Sequence, residues 1–481
     1  MMKVDPSLDN NEKLLQDMLS HSSDFKSSFF QSGDRRYKLY YLETMIELDV
    51  VQEHIIRPML QQTVEVSLRE AVSVLELRET EMLSDAVNAL VEGKTVLQIE
   101  GEAKLYLLGT ELKKERAVNL PVNERVLRGS NEALIENVST NINLLRKMIA
   151  TPNFVVKYYR LGRRSNTKVA LLYLRELANA EVIQEFERRI ESIDIDYVES
   201  PGFIQELIED RKFSLFPQLL ISERPDRVRS YLMNGKIGIL TDGSPDCIIV
   251  PTSFWAFLQT PDDYQIGWLL GSTFRLLRII SFLIAISLPG AYVALVTFDP
   301  RVLPFEIALT LQSSMQYVAM PPVLEAIFML VTLEILREAT VRLASPIGQT
   351  IGVVGGIVIG TIVVQSNLVS TMMVIIVAFT AVASFSIPSY EMSSAARFLS
   401  YPFILMSAIF GLIGLELSYL FVLTHLARLN TMGIPYFYSG MNKDTIMDTF
   451  FRGPIGSLKQ RAKESLAKDK TRIRIQRGKN E

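Results

Sequence analysis

Residues 279–298 read IISFLIAISLPGAYVALVTF, and residues 343–390 read LASPIGQTIGVVGGIVIGTIVVQSNLVSTMMVIIVAFTAVASFSIPSY. The first is a run of 20 residues without a charge, enough to cross a ~30 Å hydrocarbon core as a helix. Its proline, Pro289, is tolerated where neighbouring helices satisfy the freed carbonyl. The second run holds 48 residues and no ionisable side chain except the final tyrosine. As one helix it would be about 72 Å long, more than twice the bilayer core. It therefore reads as two spans, 347–365 and 368–387, turning at Gln365-Ser366-Asn367. A last span covers 398–425, and together these define an all-α transmembrane domain over 268–428. The stretch 303–342 is apolar but carries Glu306, Glu325, Glu334, Arg337, Glu338 and Arg342. It reads as a re-entrant or interfacial hairpin, or as helices lining a wet interior.

Charge sets the orientation. Arg275 and Arg278 precede the first span, and nine Lys or Arg lie between Lys459 and Lys479 against Glu464, Asp469 and Glu481. Positive charge stays on the cytosolic side. The N-terminus, MMKVDPSLDNNEKLLQDML, lacks the apolar core of a signal peptide. Both ends are thus expected in the cytosol, with four crossings and a basic tail over 429–481; if the stretch 303–342 crosses as well, the tail lies outside. A net charge of −3 gives no reason to expect nucleic-acid binding, the single Cys247 excludes an intramolecular disulfide framework, and three scattered histidines make no metal site.

The soluble half reads as α/β. Residues 1–35 look like a polar extension, followed by two small α/β subdomains over 36–115 and 124–265, with a linker between about Glu111 and Asn123. Strand patterns occur at 36–46, 95–99, 104–108, 154–160, 168–173, 236–240 and 247–250, and helical patterns at 50–61, 131–149, 178–190 and 204–211. No convincing internal repeat is visible.

Gly348, Gly352, Gly356 and Gly360 stand four apart, one face of a helix, and small faces let helix backbones approach closely in lipid. They serve packing within the subunit, packing around an oligomeric pore, or a gating hinge. Glu325 has no basic residue three or four positions away in its own helix, which makes it a candidate on an ion path. Glu334 with Arg337 and Glu338 with Arg342 have the spacing of helical ion pairs. Glu416, alone in the last span, needs an interhelical partner such as Arg397 or a tail lysine, or an ion. Arg128-Gly129 before the 131–149 helix has the form of an anion site at a helix N-terminus, or of a plain turn. Glu223-Arg224-Pro225-Asp226 reads as a turn into a helix with Asp226 at or near the N-cap. No phosphate loop, nucleophile elbow or metal spacing occurs, so neither catalysis nor a cofactor or metal is expected.

Several phrases together carry a family resemblance: Arg128-Gly129 with Glu132-Ala133 and Thr140-Asn141; Phe216-Pro217-Gln218; Glu223-Arg224-Pro225-Asp226; Pro261-Asp262-Asp263-Tyr264; Pro321-Pro322 to Glu325-Ala326; and Pro346-Ile347-Gly348-Gln349-Thr350-Ile351-Gly352. The chain resembles the A subunits of GerA-type spore germinant receptors, with Leu215 standing where that family's phrase has proline. The resemblance implies a multi-pass protein of the spore inner membrane that forms a homo-oligomer in membrane lipid. Its implied partners are a transporter-like B subunit and a lipoprotein C subunit, and its implied activity is a gated cation channel. Stage V sporulation AF-type proteins share these phrases, so an accessory germination channel is one alternative. A non-conducting scaffold for receptor assembly is another.

Overall fold

The structure is a computed structural model that describes residues 2–61, 68–74, 76–111, 121, 124, 129–343, 345–437, 448–461 and 466–473. The α/β class expected for the soluble half holds, and a helical C-terminal region follows it. Two antiparallel five-stranded sheets carry the first half. One runs in the order β1-β2-β4-β5-β3 and the other β6-β7-β9-β10-β8. The first comprises β1 (Phe25–Ser32), β2 (Arg35–Leu42), β3 (Leu77–Thr80), β4 (Thr95–Ile99) and β5 (Leu105–Leu108). The second comprises β6 (Phe154–Leu161), β7 (Thr167–Leu174), β8 (Leu220–Ser222), β9 (Ile237–Thr241) and β10 (Cys247–Val250).

These two orders are the same topology, so the soluble half is an internal duplication that the sequence reading missed. Helices occupy matching places. Helix α1 (Leu8–Met18) and helix α2 (Leu83–Val91) of the first unit correspond to α3 (Val138–Met148) and α6 (Pro225–Met233) of the second. Between β7 and β8 the second unit has α4 (Ala180–Glu191) and α5 (Pro201–Ile208), where the first unit has helical segments over 48–61 and 68–71. The match extends to single side chains. Asn11 Oδ1 accepts the Asp5 N–H at 3.0 Å while its Nδ2 donates to the Asp5 carbonyl at 2.6 Å. Asn141, at the same place in α3, does this to Ile135, at 2.8 and 2.5 Å. Each amide copies a strand neighbour and so satisfies a backbone pair that no sheet reaches.

Three expectations change. Residues 1–35 are no polar extension: Leu15 and Leu19 are buried in the first core, and Phe25 of β1 stacks on Tyr40 at 6.3 Å. Their apolar positions are too widely spaced to show a pattern until the sheet gathers them. The helix expected over 131–149 starts later, at Val138, because Asn137 caps it by accepting the Thr140 N–H at 2.9 Å. Most of the expected linker between Glu111 and Asn123 lies outside the described residues.

The third change concerns the membrane half. Helix α7 (Trp268–Thr297) is followed by α8 (Phe305–Met315), α9 (Pro322–Val341), α10 (Ser345–Gln365), α11 (Thr371–Phe385) and α12 (Tyr390–Arg428). The turn expected at Gln365-Ser366-Asn367 separates α10 from α11. Helix α12 is not the single span expected over 398–425. Gly411 leaves the helical region at φ 60° and ψ −140°, a conformation that favours glycine. The chain folds back there on itself. Rings of Phe403 and Tyr419 meet edge to face at 5.0 Å, though sixteen residues of straight helix would separate them by about 24 Å. A Cβ on Gly414 would collide with the Met406 carbonyl. Residues 390–410 therefore rise and 412–428 descend as an antiparallel hairpin.

Contacts give the direction of the other helices. Ser370, at the start of α11, lies by Tyr292 near the end of α7, whereas Ala383 at its end joins the cluster of Phe282. Glu325 at the start of α9 meets Ser370, and Thr340 at its end meets Gly348 at the start of α10. Helices α7, α9 and α10, helix α11 and both arms of α12 thus run the depth of the bundle, six segments in alternating directions. The stretch 303–342 is not one re-entrant hairpin: α8 stays at the far end and α9 traverses. The hairpin of α12 and the traverse of α9 each add one segment to the four expected. By length and composition, Trp268–Thr297 and Tyr390–Arg428 are apolar enough to cross a membrane.

Candidate functional site

Polar groups inside the bundle fall at two heights. Toward the far end, Glu325 is fully buried, and its Oε2 accepts the backbone N–H of Ser370 at 2.7 Å. Ser370 is the N-cap of α11, and its own Oγ accepts the Met373 N–H at 3.2 Å. The hydroxyls of Tyr292 and Ser370 stand 3.4 Å apart. A carboxylate at the first turn of a helix satisfies orphan N–H groups and faces the positive end of the dipole. Glu325 Oε1 has no hydrogen-bond partner among the described residues.

Nearer the soluble half, Glu334 of α9 pairs with Arg397 of α12, Nε to Oε2 at 3.0 Å and Nη2 to Oε1 at 3.3 Å. The pairing with Arg337 expected from helical spacing is the weaker one, at 3.7 Å. Arg337 lies over the Phe385 ring at 4.6 Å instead. Arg397 is also steadied by its hydrogen bonds to Ser393 and Ser394, at 3.0 and 2.9 Å. Two guanidinium groups thus share one carboxylate, which makes this cluster net positive and a poor resting place for a cation. Glu338 and Arg342 do pair, Nε to Oε1 at 3.0 Å, on the exposed side of α9.

Glu416 and Arg397 do not meet, since Arg397 serves Glu334. Glu416 lies exposed on the descending arm between Ile413 and Leu420, with no ion pair among the described residues. The glycine face divides. A Cβ on Gly348 would come within 2.8 Å of the Thr340 carbonyl oxygen and one on Gly352 within 3.5 Å of Thr340, so this end packs on α9. At Gly356 and Gly360 a Cβ would meet nothing within 4 Å among the described residues, so packing within the described part of the subunit does not account for them. Around them Val353, Val354, Ile357, Val358 and Ile362 are exposed.

In the soluble half the motif residues act as latches. Arg224 forks onto Asp226, at 3.1 and 2.8 Å, and donates to the carbonyls of Glu124 and Ser130. Glu223 accepts the Glu124 N–H at 2.8 Å. Pro225 is the first residue of α6 and Arg224 its N-cap, two residues before the expected Asp226. Gln218, following Pro217, ties both backbone groups of Arg211, at 3.0 and 2.7 Å. Gly129 has φ +130°, and a Cβ there would strike the Gln265 amide. Arg128 lies outside the described residues, and with α3 starting at Val138 there is no helix N-terminus beside Gly129 to hold an anion.

A junction below α7 was not foreseen. Asp263 is fully buried and accepts from Arg275 at 3.2 Å and Arg278 at 2.8 Å. Tyr264 donates to Asp448 at 2.8 Å, Ser272 Oγ donates to the Arg452 carbonyl at 2.9 Å, and Arg275 reaches the Asp448 carbonyl. The two arginines read as a cytosolic flank are therefore turned inward to lock α7 to the soluble half and the C-terminal segment. That segment continues onto the second sheet unit, where the Lys468 N–H donates to the Leu177 carbonyl at 2.9 Å.

The Bacillus/Clostridium GerA spore germination protein family matches residues 13–464. This chain belongs to that family. Spore germination protein B1 of Bacillus subtilis (strain 168) is 36% identical over 98% of this chain and 100% of its own length. Spore germination protein A1 of the same organism is 38% identical over 81% of each. The N-terminal domain of the A subunit of the Bacillus megaterium spore germinant receptor GerK3 aligns with 53% of this chain and 98% of its own, at 24% identity and a TM-score of 0.40. A GerA-family chain with two membrane-length apolar segments is membrane-associated.

Proposed function

We propose that this GerA-family chain is the A-type subunit of a nutrient germinant receptor in the spore inner membrane, working with a transporter-like B subunit and a lipoprotein C subunit. Copies assemble around a shared axis and form a gated cation path. The observation that carries this reading is α10. Among the described residues its one substantial neighbour is α9, and Gly356 and Gly360 lie bare on an apolar surface. Glycine costs helix stability and supplies no side chain to lipid, so an exposed glycine face is accounted for by another helix lying close against it. Soluble half and tail sit together in the cytosol, below six crossings.

A non-conducting scaffold is favoured by a different observation, that Glu325 and Glu334 are both committed to structural partners. Reconstitution separates the two. The purified chain in potassium-loaded liposomes should release potassium under conditions that yield oligomers and not when it is monomeric. Oligomers without flux would leave the scaffold.

A further inference from the structure

At the soluble-half end of the descending arm of α12, a notch of about 150 Å³ is lined by Arg211, Phe421, Thr424, His425, Arg428 and Leu429. Along the arm the exposed face is apolar at Ile413, Leu417, Leu420 and Phe421, interrupted once by Glu416, then turns polar at Thr424 and basic at Arg428. The loop 211–215 (Arg-Lys-Phe-Ser-Leu) is fastened beside this change of character. Gln218 holds both backbone groups of Arg211, Ser214 Oγ lies 3.0 Å from His425 Nε2, and the Phe216 ring lies 6.0 Å from the imidazole.

Two features of this corner lack a counterpart among the described residues. Arg211, Lys212 and Arg428 are exposed, and none has an ion pair among the described residues. The adjacent acid, Asp210, is already committed to Arg189 at 2.7 Å and to the Met432 N–H at 2.8 Å. Beside these cations Phe213 is 102% exposed and Leu215 is 52% exposed. A free phosphate would satisfy the cations and leave Phe213 in water. A phospholipid satisfies both, headgroup against the arginines and acyl chain against the phenyl ring.

We propose that this notch binds the phosphate of an anionic phospholipid at the cytosolic surface of the bilayer, with Arg211 and Arg428 as its principal ligands and Phe213 and Leu215 inserted beside them. The site fastens the second sheet unit to the membrane at the foot of the α12 hairpin. It rests on α12 lying in the bilayer, not on conduction.

The test uses the full chain in phosphatidylcholine nanodiscs with and without phosphatidylglycerol. Phosphatidylglycerol should raise the melting temperature, and in the Arg211→Gln/Arg428→Gln variant the half-saturating fraction should rise by about fivefold per cation removed. A nitroxide on Phe213→Cys should be relaxed more by oxygen than by a water-soluble nickel chelate. An equal response of wild type and variant, or nickel access at 213, overturns the proposal. So does inorganic phosphate reproducing the shift in phosphatidylcholine alone, which would make the source soluble. A nitroxide on Phe421→Cys separates the premises: nickel access there overturns the membrane placement of α12 and the site with it. Oxygen access at 421 with nickel access at 213 overturns the site alone.

Discussion

Arg397 of the rising arm of α12 grips Glu334 of α9 through two nearly parallel hydrogen bonds, at 3.0 and 3.3 Å. Removing Arg397 leaves Glu334 with only its weaker partner, Arg337 at 3.7 Å, and breaks the tie between two helices. Arg397→Gln should therefore lower stability in detergent by about 3 kcal/mol. Arg342→Gln removes an exposed pair with Glu338 and should cost at most about 1 kcal/mol. Thermal unfolding of both variants makes the comparison. An Arg397→Gln loss no larger than that of Arg342→Gln would sink the interhelical clamp.

A second buried pair locks the two sheet units. Arg146 of α3 reaches Asp24, ahead of β1, with Nε to Oδ2 at 2.7 Å and Nη2 to Oδ1 at 2.8 Å. The Ser23 N–H donates to the Val156 carbonyl at 2.7 Å, so the first unit is stitched to β6. Burial alone would raise the Asp24 carboxyl. The Arg146 charge and hydrogen bonds from Arg146, Ser22 and Thr44 outweigh it and hold the group below its ordinary value. A depressed folded value means the stabilisation is fully present above the unfolded carboxylate range and is lost as pH falls through the folded value. Acid unfolding of the soluble half should thus show a contribution below about pH 4 that Asp24→Asn lacks. That variant should also cost about 3–5 kcal/mol at neutral pH. Denaturant melts across that pH range, wild type against Asp24→Asn, decide it.

The membrane half was legible where apolar runs were long and interrupted once, as at Gln365-Ser366-Asn367. It was misread at Gly411, because one glycine in an apolar run looks the same whether the helix continues or reverses. Only the meeting of Phe403 with Tyr419 tells them apart. Glu334 was paired with Arg337 because helical spacing shows partners within a helix and never across two. The junction at Asp263 was invisible for the same reason, since Asp448 comes from far along the chain. In the soluble half, strands β2, β4, β5, β6, β7, β9 and β10 were legible as short apolar runs bounded by turns. The duplication was not, because what repeats is topology and one Asn contact rather than a run of residues.

Glycines on the bundle divide into two kinds, and substitution should separate them. Gly290 lies against the rising arm of α12, where a Cβ would stand 3.0 Å from the Phe403 backbone. Gly290→Leu should overpack the single chain and cost about 1–3 kcal/mol or more. At Gly356 a Cβ would meet nothing within 4 Å among the described residues, and Gly356→Leu should leave monomer stability unchanged or slightly improved. Its effect should fall on assembly, read as loss of the cross-linked oligomer in membranes. Normal oligomers from Gly356→Leu would turn that face to lipid.

Cys247 is fully buried in β10, and burial pushes its thiol up to about 12. It should not react with maleimide in the folded chain. Lys470→Cys, at an exposed site on the docked C-terminal segment, should then be the one reactive position. With both ends in the cytosol, an impermeant maleimide should label it in inside-out vesicles and not in right-side-out ones. Labelling from the outer side would overturn the six-crossing arrangement.

Glu325 tests whether a buried membrane carboxylate serves structure or conduction. Its Oε2 accepts the N–H of the Ser370 cap, and the start of α11 is built around that contact. Glutamine keeps a carbonyl oxygen for this N–H, so Glu325→Gln should retain most of the stability. Alanine removes the acceptor and leaves a buried donor unsatisfied, at about 1–3 kcal/mol. On the capping reading, Glu325→Gln spores release cations at the wild-type rate and selectivity, whereas Glu325→Ala loses protein. On the conducting reading the charge itself matters, and Glu325→Gln changes rate or selectivity at unchanged abundance. The bonded Oε2 supports the first, and the partnerless Oε1 is the one atom that argues for the second. Ion release from both variants, normalised to protein level by immunoblot, gives opposite results for the two readings. We expect wild-type release from Glu325→Gln, because an acceptor fixed on a helix N-terminus has little freedom to pass an ion along.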